Sequence, residues 1–297
     1  GFRVALSGDV MAVASFTDDS GFPGVGMVYV YRRDAESNTW REEDVLVPPP
    51  DAEEDMFGAL VAVSGSTVAV TSPLHGNSRG AVYVFERSVG EDGESAVWQE
   101  QAKLEASDGV EGDEFGSSLA IDGGTIVSGA VWAQTDAGDI GGRVYVFSKD
   151  GMGNWSETSI LTAPDSNDNA EFGYAVAISN GTILVSAPFD VASTENEANG
   201  AVYIYNHVGT VPSGNDTWVE TAKLSASDSP SGEEFHEFGG SIAIQDDIVA
   251  IGAPAATGGG GVYIYSLAGG GWTLMNKIQY PATISLGRTM PCLRPPW

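Results

Sequence analysis

One six-residue string repeated five times, a repeat length of 57 to 66 residues and tight-turn pairs between short apolar runs predict an all-β fold. The expected architecture is a β-propeller of four-stranded antiparallel blades. The string reads GMVYVY from Gly26, GAVYVF from Gly80, GRVYVF from Gly142, GAVYIY from Gly200 and GGVYIY from Gly260. Upstream of the later copies stands Phe-Gly, at Phe57-Gly58, Phe115-Gly116, Phe172-Gly173 and Phe238-Gly239. Downstream of each copy lies a tryptophan: Trp40, Trp98, Trp155, Trp218 and Trp272.

Each unit supplies four strand candidates. The first alternates in period two, as in Val61-Ala62-Val63. A Val/Ile-rich second strand follows, separated from the first by pairs such as Asp122-Gly123 or Asn180-Gly181 that suit tight hairpins. The third is the repeated string and the fourth starts at the tryptophan. The string runs Val-Tyr-Val-Phe without polar alternation because radial stacking covers both faces of the sheet. Its glycine admits a close backbone approach. Blades are expected at about residues 1–47, 57–104, 115–161, 172–224 and 238–279, making 1–279 one propeller. Residues 280–297 lose the pattern. They hold the only cysteine, Cys292, and read as an irregular tail: a linker, the edge of another domain or a frame error. Gly1 falls where the glycine of Phe-Gly belongs, so the sequence is expected to begin inside a motif, with further chain, including any signal peptide, before it.

Phe-Gly followed by Gly-Ala-Pro, intact at Gly252-Ala253-Pro254 and degraded to Ser186-Ala187-Pro188 or Thr71-Ser72-Pro73, resembles the FG-GAP repeat. That repeat is best known from the seven-bladed propeller of integrin α chains, and the spacing here is similar to its short variety in secreted and surface-exposed microbial proteins. The resemblance implies a non-enzymatic extracellular or cell-surface module for binding or adhesion. It does not bring calcium with it. Several integrin blades carry an Asp-x-Asp-x-Asp-Gly loop between the two motif halves, whereas this interval here is a tight hairpin, as at Ser64-Gly65-Ser66-Thr67.

Charge narrows the partners. Thirteen Lys and Arg against 41 Asp and Glu give a net charge of −28. Nucleic acid binding needs clustered Lys and Arg to displace counterions and is excluded as an expectation, as is an anionic membrane. No apolar run is long enough for a spanning helix, so no membrane insertion is expected. In a four-stranded blade the second-to-third loops and the blade-to-blade loops emerge on one face. Twenty-three of the 41 acids fall in those loops, against Arg79, His75 and His236. Three readings of this acidic face stay open: a solvated surface, a site for divalent cations such as Ca²⁺, and a dock for a protein or glycan ligand. For a cation, Asp165, Asn167, Asn169 and Glu171 place oxygens at alternate positions of one loop. Glycosylation sequons at Asn154, Asn180 and Asn215 all fall on the opposite face.

No catalytic constellation is visible. His75, His207 and His236 are expected in loops of different blades, without His-x-x-x-His spacing, a Gly-x-Ser-x-Gly elbow or a phosphate loop. His236 lies among Glu233, Glu234 and Glu237 and is expected either in solvent or at a transition metal. The tryptophans, Phe-Gly phenylalanines and string tyrosines are expected to fill space between sheets. A propeller serving as accessory to a larger secreted hydrolase, or as a structural spacer, is the alternative function.

Overall fold

The computed structural model describes residues 2–17, 23–50, 55–89, 96–135, 138–165, 169–191, 199–210, 216–226, 236–256 and 259–279. The chain forms five four-stranded antiparallel sheets, each with its strands in sequence order. Blade 1 holds β1 (Arg3–Ser7), β2 (Val10–Thr17), β3 (Pro23–Arg33) and β4 (Trp40–Leu46). Blade 2 holds β5 (Val61–Ser64), β6 (Thr67–Ser72), β7 (Ala81–Val89) and β8 (Ala96–Leu104). In blade 3 they are β9 (Ser118–Asp122), β10 (Thr125–Ala130), β11 (Arg143–Lys149) and β12 (Trp155–Leu161). Blade 4 follows with β13 (Val176–Ser179), β14 (Thr182–Ala187), β15 (Ala201–Thr210) and β16 (Asp216–Leu224). Blade 5 closes with β17 (Ser241–Gln245), β18 (Ile248–Ala253), β19 (Gly261–Ala268) and β20 (Gly271–Gln279). Among the described residues helix is confined to one turn at His75–Ser78, interrupted by left-handed backbone at Gly76 and Asn77.

The repeated string works in two directions. Each sheet turns a leading face to the blade before it and a trailing face to the blade after it. Val82 and Val84 of blade 2 pack with Phe115, Ile126, Tyr145 and Phe147 of blade 3. Tyr83 and Phe85, pointing the other way, pack with Val28, Val30 and Leu46 of blade 1. The same division recurs between blades 3 and 4 and between blades 4 and 5. Alternation along the strand is therefore intact, with apolar neighbours on both sides. Most of the Phe-Gly rings' contacts with the string's aromatic rings are edge-on, as with Phe115 and Tyr145 at 5.4 Å, and the others are tilted, as with Phe57 and Tyr83 at 5.6 Å.

The two motif halves meet across blades. A Cβ on Gly80 would lie 1.8 Å from the carbonyl oxygen of Phe115, and one on Gly142 2.1 Å from that of Phe172. Gly26 and Gly200 face Phe57 and Phe238 in the same way. The glycine of one blade is thus the seat for the phenylalanine of the next.

On the hairpin face the blades are also linked. The Ser7 and Ser64 hydroxyls accept the N–H groups of Gly65 and Gly123, Asp122 accepts from Asn180, and Ser179 accepts from Asp246. In every blade the third and fourth strands slip register after the string's second valine or isoleucine. One β-bulge per blade adds twist at that point. His207, expected in a loop, instead lies in β15, which continues past the string, and packs tilted against Trp218 with ring centroids 5.1 Å apart.

Candidate functional site: the loop face

The second-to-third loops and the blade-to-blade loops interlock on one face. Arg79, between β6 and β7, donates to the Gly109 carbonyl between β8 and β9, and Asn77 donates to Glu111. Backbone bonds from Glu114 and Phe115 to Ser78 and Arg79 fasten the same two loops. Between blades 3 and 4, Asn169 and Phe172 donate to Ile140 and Gly141.

Beneath these loops each of blades 2 to 5 builds a small charged cluster on the string tyrosine. In blade 4 the Tyr203 hydroxyl donates to Asp165 at 2.9 Å and to Asp190 at 3.1 Å. Lys223 of β16 reaches the same two carboxylates at 2.8 and 2.7 Å and lies over the Tyr203 ring. In blade 3 the Tyr145 hydroxyl and Arg143 both bind Asp108, each at 2.7 Å. Blade 2 replaces the direct contact by a relay: His75 sits between Asp55 and Lys103, and Lys103 also pairs with Glu105 at 2.8 Å. In blade 5 Lys277 lies over the Tyr263 ring, with His236 beside it.

These partners set the ionisation of the face. Burial pushes the Asp165 carboxyl up, but hydrogen bonds from Lys223 and Tyr203 outweigh it and hold the group below its ordinary value. Lys223 is pushed down by burial and carried back above its usual range by Asp165 and Asp190. Glu105 is lowered by Lys103 against burial. Asp113 and Glu114, in the loop after β8, move the other way. Burial raises both, and the Val110 N–H that Asp113 accepts only partly offsets this. The Tyr203 and Tyr145 hydroxyls are driven far upward, first by burial and then by the carboxylates they bind, so they act only as donors.

The residues singled out in the sequence are distributed as follows. Asp165 has both oxygens engaged, by Tyr203 and by Lys223. Asn169 and Glu171 have left-handed backbone in the loop that follows, and Asn167 lies outside the described residues. No group of three or more His, Cys, Asp or Glu with metal-binding geometry occurs among the described residues. His236 is neither solvated nor beside a described metal cluster: its side chain is buried against Tyr263, while Glu233 and Glu234 lie outside the described residues. Asn154 and Asn180 stand on the hairpin face, where their amides donate to Asp150 and Asp246; Asn215 lies outside the described residues. Of the acids assigned to the loops, Asp18, Asp19, Asp51, Glu53, Glu54, Asp136, Asp168, Glu195, Glu197 and Asp228 are also outside them.

Sequence reasoning missed the tyrosine clusters. Their signal is present: the Lys-Leu pair closing β8 and β16 in two otherwise acidic segments, Ala102-Lys-Leu-Glu105 and Ala222-Lys-Leu-Ser225. Away from the loop face, a cleft of about 280 Å³ lies at the hairpin ends of blades 3 and 4, lined by Asp122, Lys149, His207 and Trp218 among others.

Radially stacked four-stranded sheets joined by a glycine-to-phenylalanine contact define a β-propeller repeat protein. The chain belongs to the FG-GAP repeat family, which it matches over residues 40–85, 98–147, 155–205 and 218–265. Its fold is similar to two crystal structures of Sqt1 from Chaetomium thermophilum, at 16% identity and TM-scores of 0.51 and 0.52. The match covers 94% of this chain and 61% of the Sqt1 chain, so this chain spans less than two thirds of that length. No curated protein matches the sequence. Propellers of this family are in general modules for binding, and their repeats are typical of extracellular or surface proteins. No helix among the described residues is long and apolar enough to cross a membrane.

Proposed function

We propose that the chain is a non-catalytic, extracellular or cell-surface binding module that presents its acidic loop face to a basic protein partner. One observation carries this reading. Lys103, Arg143 and Lys223, which lie under the loops, are already consumed in ion pairs with the face's own carboxylates. The acids beyond those pairs are left as net negative charge, and a cationic surface is the complement. Low-salt association with a lysine-rich peptide tests it. The double variant Glu111→Gln/Asp139→Asn on the loop face should weaken binding by about fivefold, the scale of two partly screened surface charges. The charge-matched pair Glu36→Gln/Asp247→Asn on the hairpin face should leave it unchanged. Equal losses from both pairs would refute the assignment, because binding would then follow net charge alone.

A divalent cation held by Asp165, Asn167, Asn169 and Glu171 is the second proposal. The alternating oxygens favour it, and the engagement of Asp165 by Lys223 and Tyr203 weighs against it. Thermal unfolding in EDTA, then with Ca²⁺ or Mg²⁺ at matched ionic strength, separates the cases. A saturable rise with Ca²⁺ alone is the result that this second reading requires; an equal rise from both ions is charge screening and removes it. Glycans on Asn154 and Asn180 would sit on the hairpin face and leave the loop face uncovered; the third sequon, Asn215, lies outside the described residues.

A further inference from the structure

We infer that the cleft between blades 3 and 4 on the hairpin face binds a small carboxylate, with the Trp218 indole N–H as its anchoring donor. The site is separate from the loop face and does not rest on the binding proposed there.

The two junctions before it show what occupies this place elsewhere. In each blade a residue of the third strand stands opposite the tryptophan of the fourth: Arg87 opposite Trp98, Lys149 opposite Trp155 and His207 opposite Trp218. At both earlier junctions the preceding blade offers an acid to that pair. Glu43, the extra residue of the β3–β4 bulge, crosses from blade 1 to blade 2. It accepts from the Arg87 guanidinium at 2.9 to 3.1 Å and from the Trp98 indole Nε1 at 3.0 Å. Burial pushes the Glu43 carboxyl up, but the bonds from Arg87 and Trp98 outweigh it and hold the group below its ordinary value. Between blades 2 and 3 the acid comes from the third strand, where Glu86 reaches Lys149.

Between blades 3 and 4 both acids are replaced. Ser148 stands at the position of Glu86, and Thr158 at the bulge position of Glu43. Their hydroxyls bond to each other at 3.2 Å. The space beside them is the cleft of about 280 Å³, bounded by Thr125 and Ser148 of blade 3 and by Ile178, His207 and Trp218 of blade 4. That volume is at the small end for ligand pockets, which run from about 300 Å³ upward. The Trp218 Nε1 is buried and has no hydrogen-bond partner among the described residues. An indole N–H only donates, so the group that completes the site is an acceptor. A buried donor without an acceptor is costly, and a ligand that supplies one recovers that cost. Trp155 shares the orphaned N–H, but at its junction Glu86 already bridges the blades.

The class of ligand follows from the walls. The acceptor that the fold itself uses at this place is a carboxylate, and an ionised acceptor makes the stronger bond. His207 stands where Arg87 stands, and Ile178 gives a short alkyl chain an apolar wall. Of the charged groups on the walls, Lys149 is paired with Glu86, and Asp122 accepts the Asn180 N–H. Asp122 and the net charge of −28 work against an anion, so the dissociation constant is on the order of millimolar.

Nitrogen–proton correlation spectra of the full chain test the inference, because each tryptophan gives one indole N–H resonance. Trp98→Phe, Trp155→Phe and Trp218→Phe assign the three concerned. The probe is butyrate, which has the length of a glutamate side chain, compared with sodium chloride at equal ionic strength and with neutral butyramide. Butyrate should move the Trp218 resonance downfield in a saturable way and leave those of Trp98 and Trp155 in place. It should bind at least about tenfold more tightly than butyramide. Thr158→Glu returns a carboxylate to the bulge, so its Trp218 resonance should start at the shifted position and ignore butyrate. A wild-type Trp218 resonance that does not respond at concentrations well above millimolar would overturn the inference. So would an equal response to butyramide or to chloride. A resonance that already sits as far downfield as that of Trp98 would overturn it too, because the chain's own groups would then fill the cleft. The wild-type titration decides by itself should Thr158→Glu fail to fold.

Discussion

Gly80→Ala should lower the unfolding free energy by about 3 to 4 kcal/mol, the largest single-site effect expected in this chain. Two costs add. Gly80 has φ of +86°, and a side chain in the left-handed region costs about 1–2 kcal/mol. The new Cβ would also sit 1.8 Å from the Phe115 carbonyl oxygen, which is backbone and cannot rotate away, so blades 2 and 3 must separate. Overfilling a close contact adds about 1–3 kcal/mol. Gly123→Ala isolates the first cost: that glycine also has positive φ, but nothing lies within 4 Å of its added Cβ. It should lose only about 1 kcal/mol. Urea midpoints of the two variants check the difference, and equal losses would mean that the glycine-to-phenylalanine seat contributes nothing.

Lys223→Met should cost about 2 kcal/mol at neutral pH. The substitution keeps the methylene contact with Tyr203 and removes the charge that holds Asp165 and Asp190 together. Asp190 is buried, and its carboxylate is left facing another carboxylate across one tyrosine hydroxyl. Breaking a fully buried pair costs about 3–5 kcal/mol, and the smaller figure reflects a lysine that is 30% exposed. The pH dependence has a definite sign. In the wild-type chain Asp165 is depressed, so its contribution is present above the unfolded carboxylate pKa and is lost as pH falls through the lower folded value. Lys223 is raised, so its contribution persists through neutral pH and is lost only in strong alkali. Without the lysine Asp165 loses the partner that holds its carboxyl down, burial is left to push it up, and the variant's deficit should shrink as pH falls toward about 4. Adding Asp190→Asn should recover much of the loss at neutral pH. A deficit equal at both pH values, and unrelieved by the second substitution, would assign the effect to lost contacts with the tyrosine ring.

The propeller was legible because its cause is local. A string with apolar residues on both faces, repeated at one period, has few ways to be covered other than by copies of itself. The placement of Tyr83, Tyr145, Tyr203 and Tyr263 in the core followed from the same reasoning. What could not be read was anything decided across blades. Gly80 seats Phe115, and Asp165 is claimed by a lysine 58 residues away. Loop composition alone made Asp165 resemble a free ligand. The burial of His236 depends likewise on Tyr263, a residue of β19, two strands beyond the one that follows it. His207 was misplaced for a smaller reason: nothing in the residues after the string marks where the third strand ends, and β15 runs on to Thr210.

The claim on which the functional reading rests is that the interlocked acidic loops, and not the hairpin ends, meet the partner. Hydrogen–deuterium exchange with and without a lysine-rich peptide reads this directly. Protection of residues 73–80, 105–117 and 138–142, with no change at 34–39, 150–154 and 180–181, is the result expected. Protection of those hairpins with the loops unchanged would place the binding surface on the opposite side of the propeller and contradict the account.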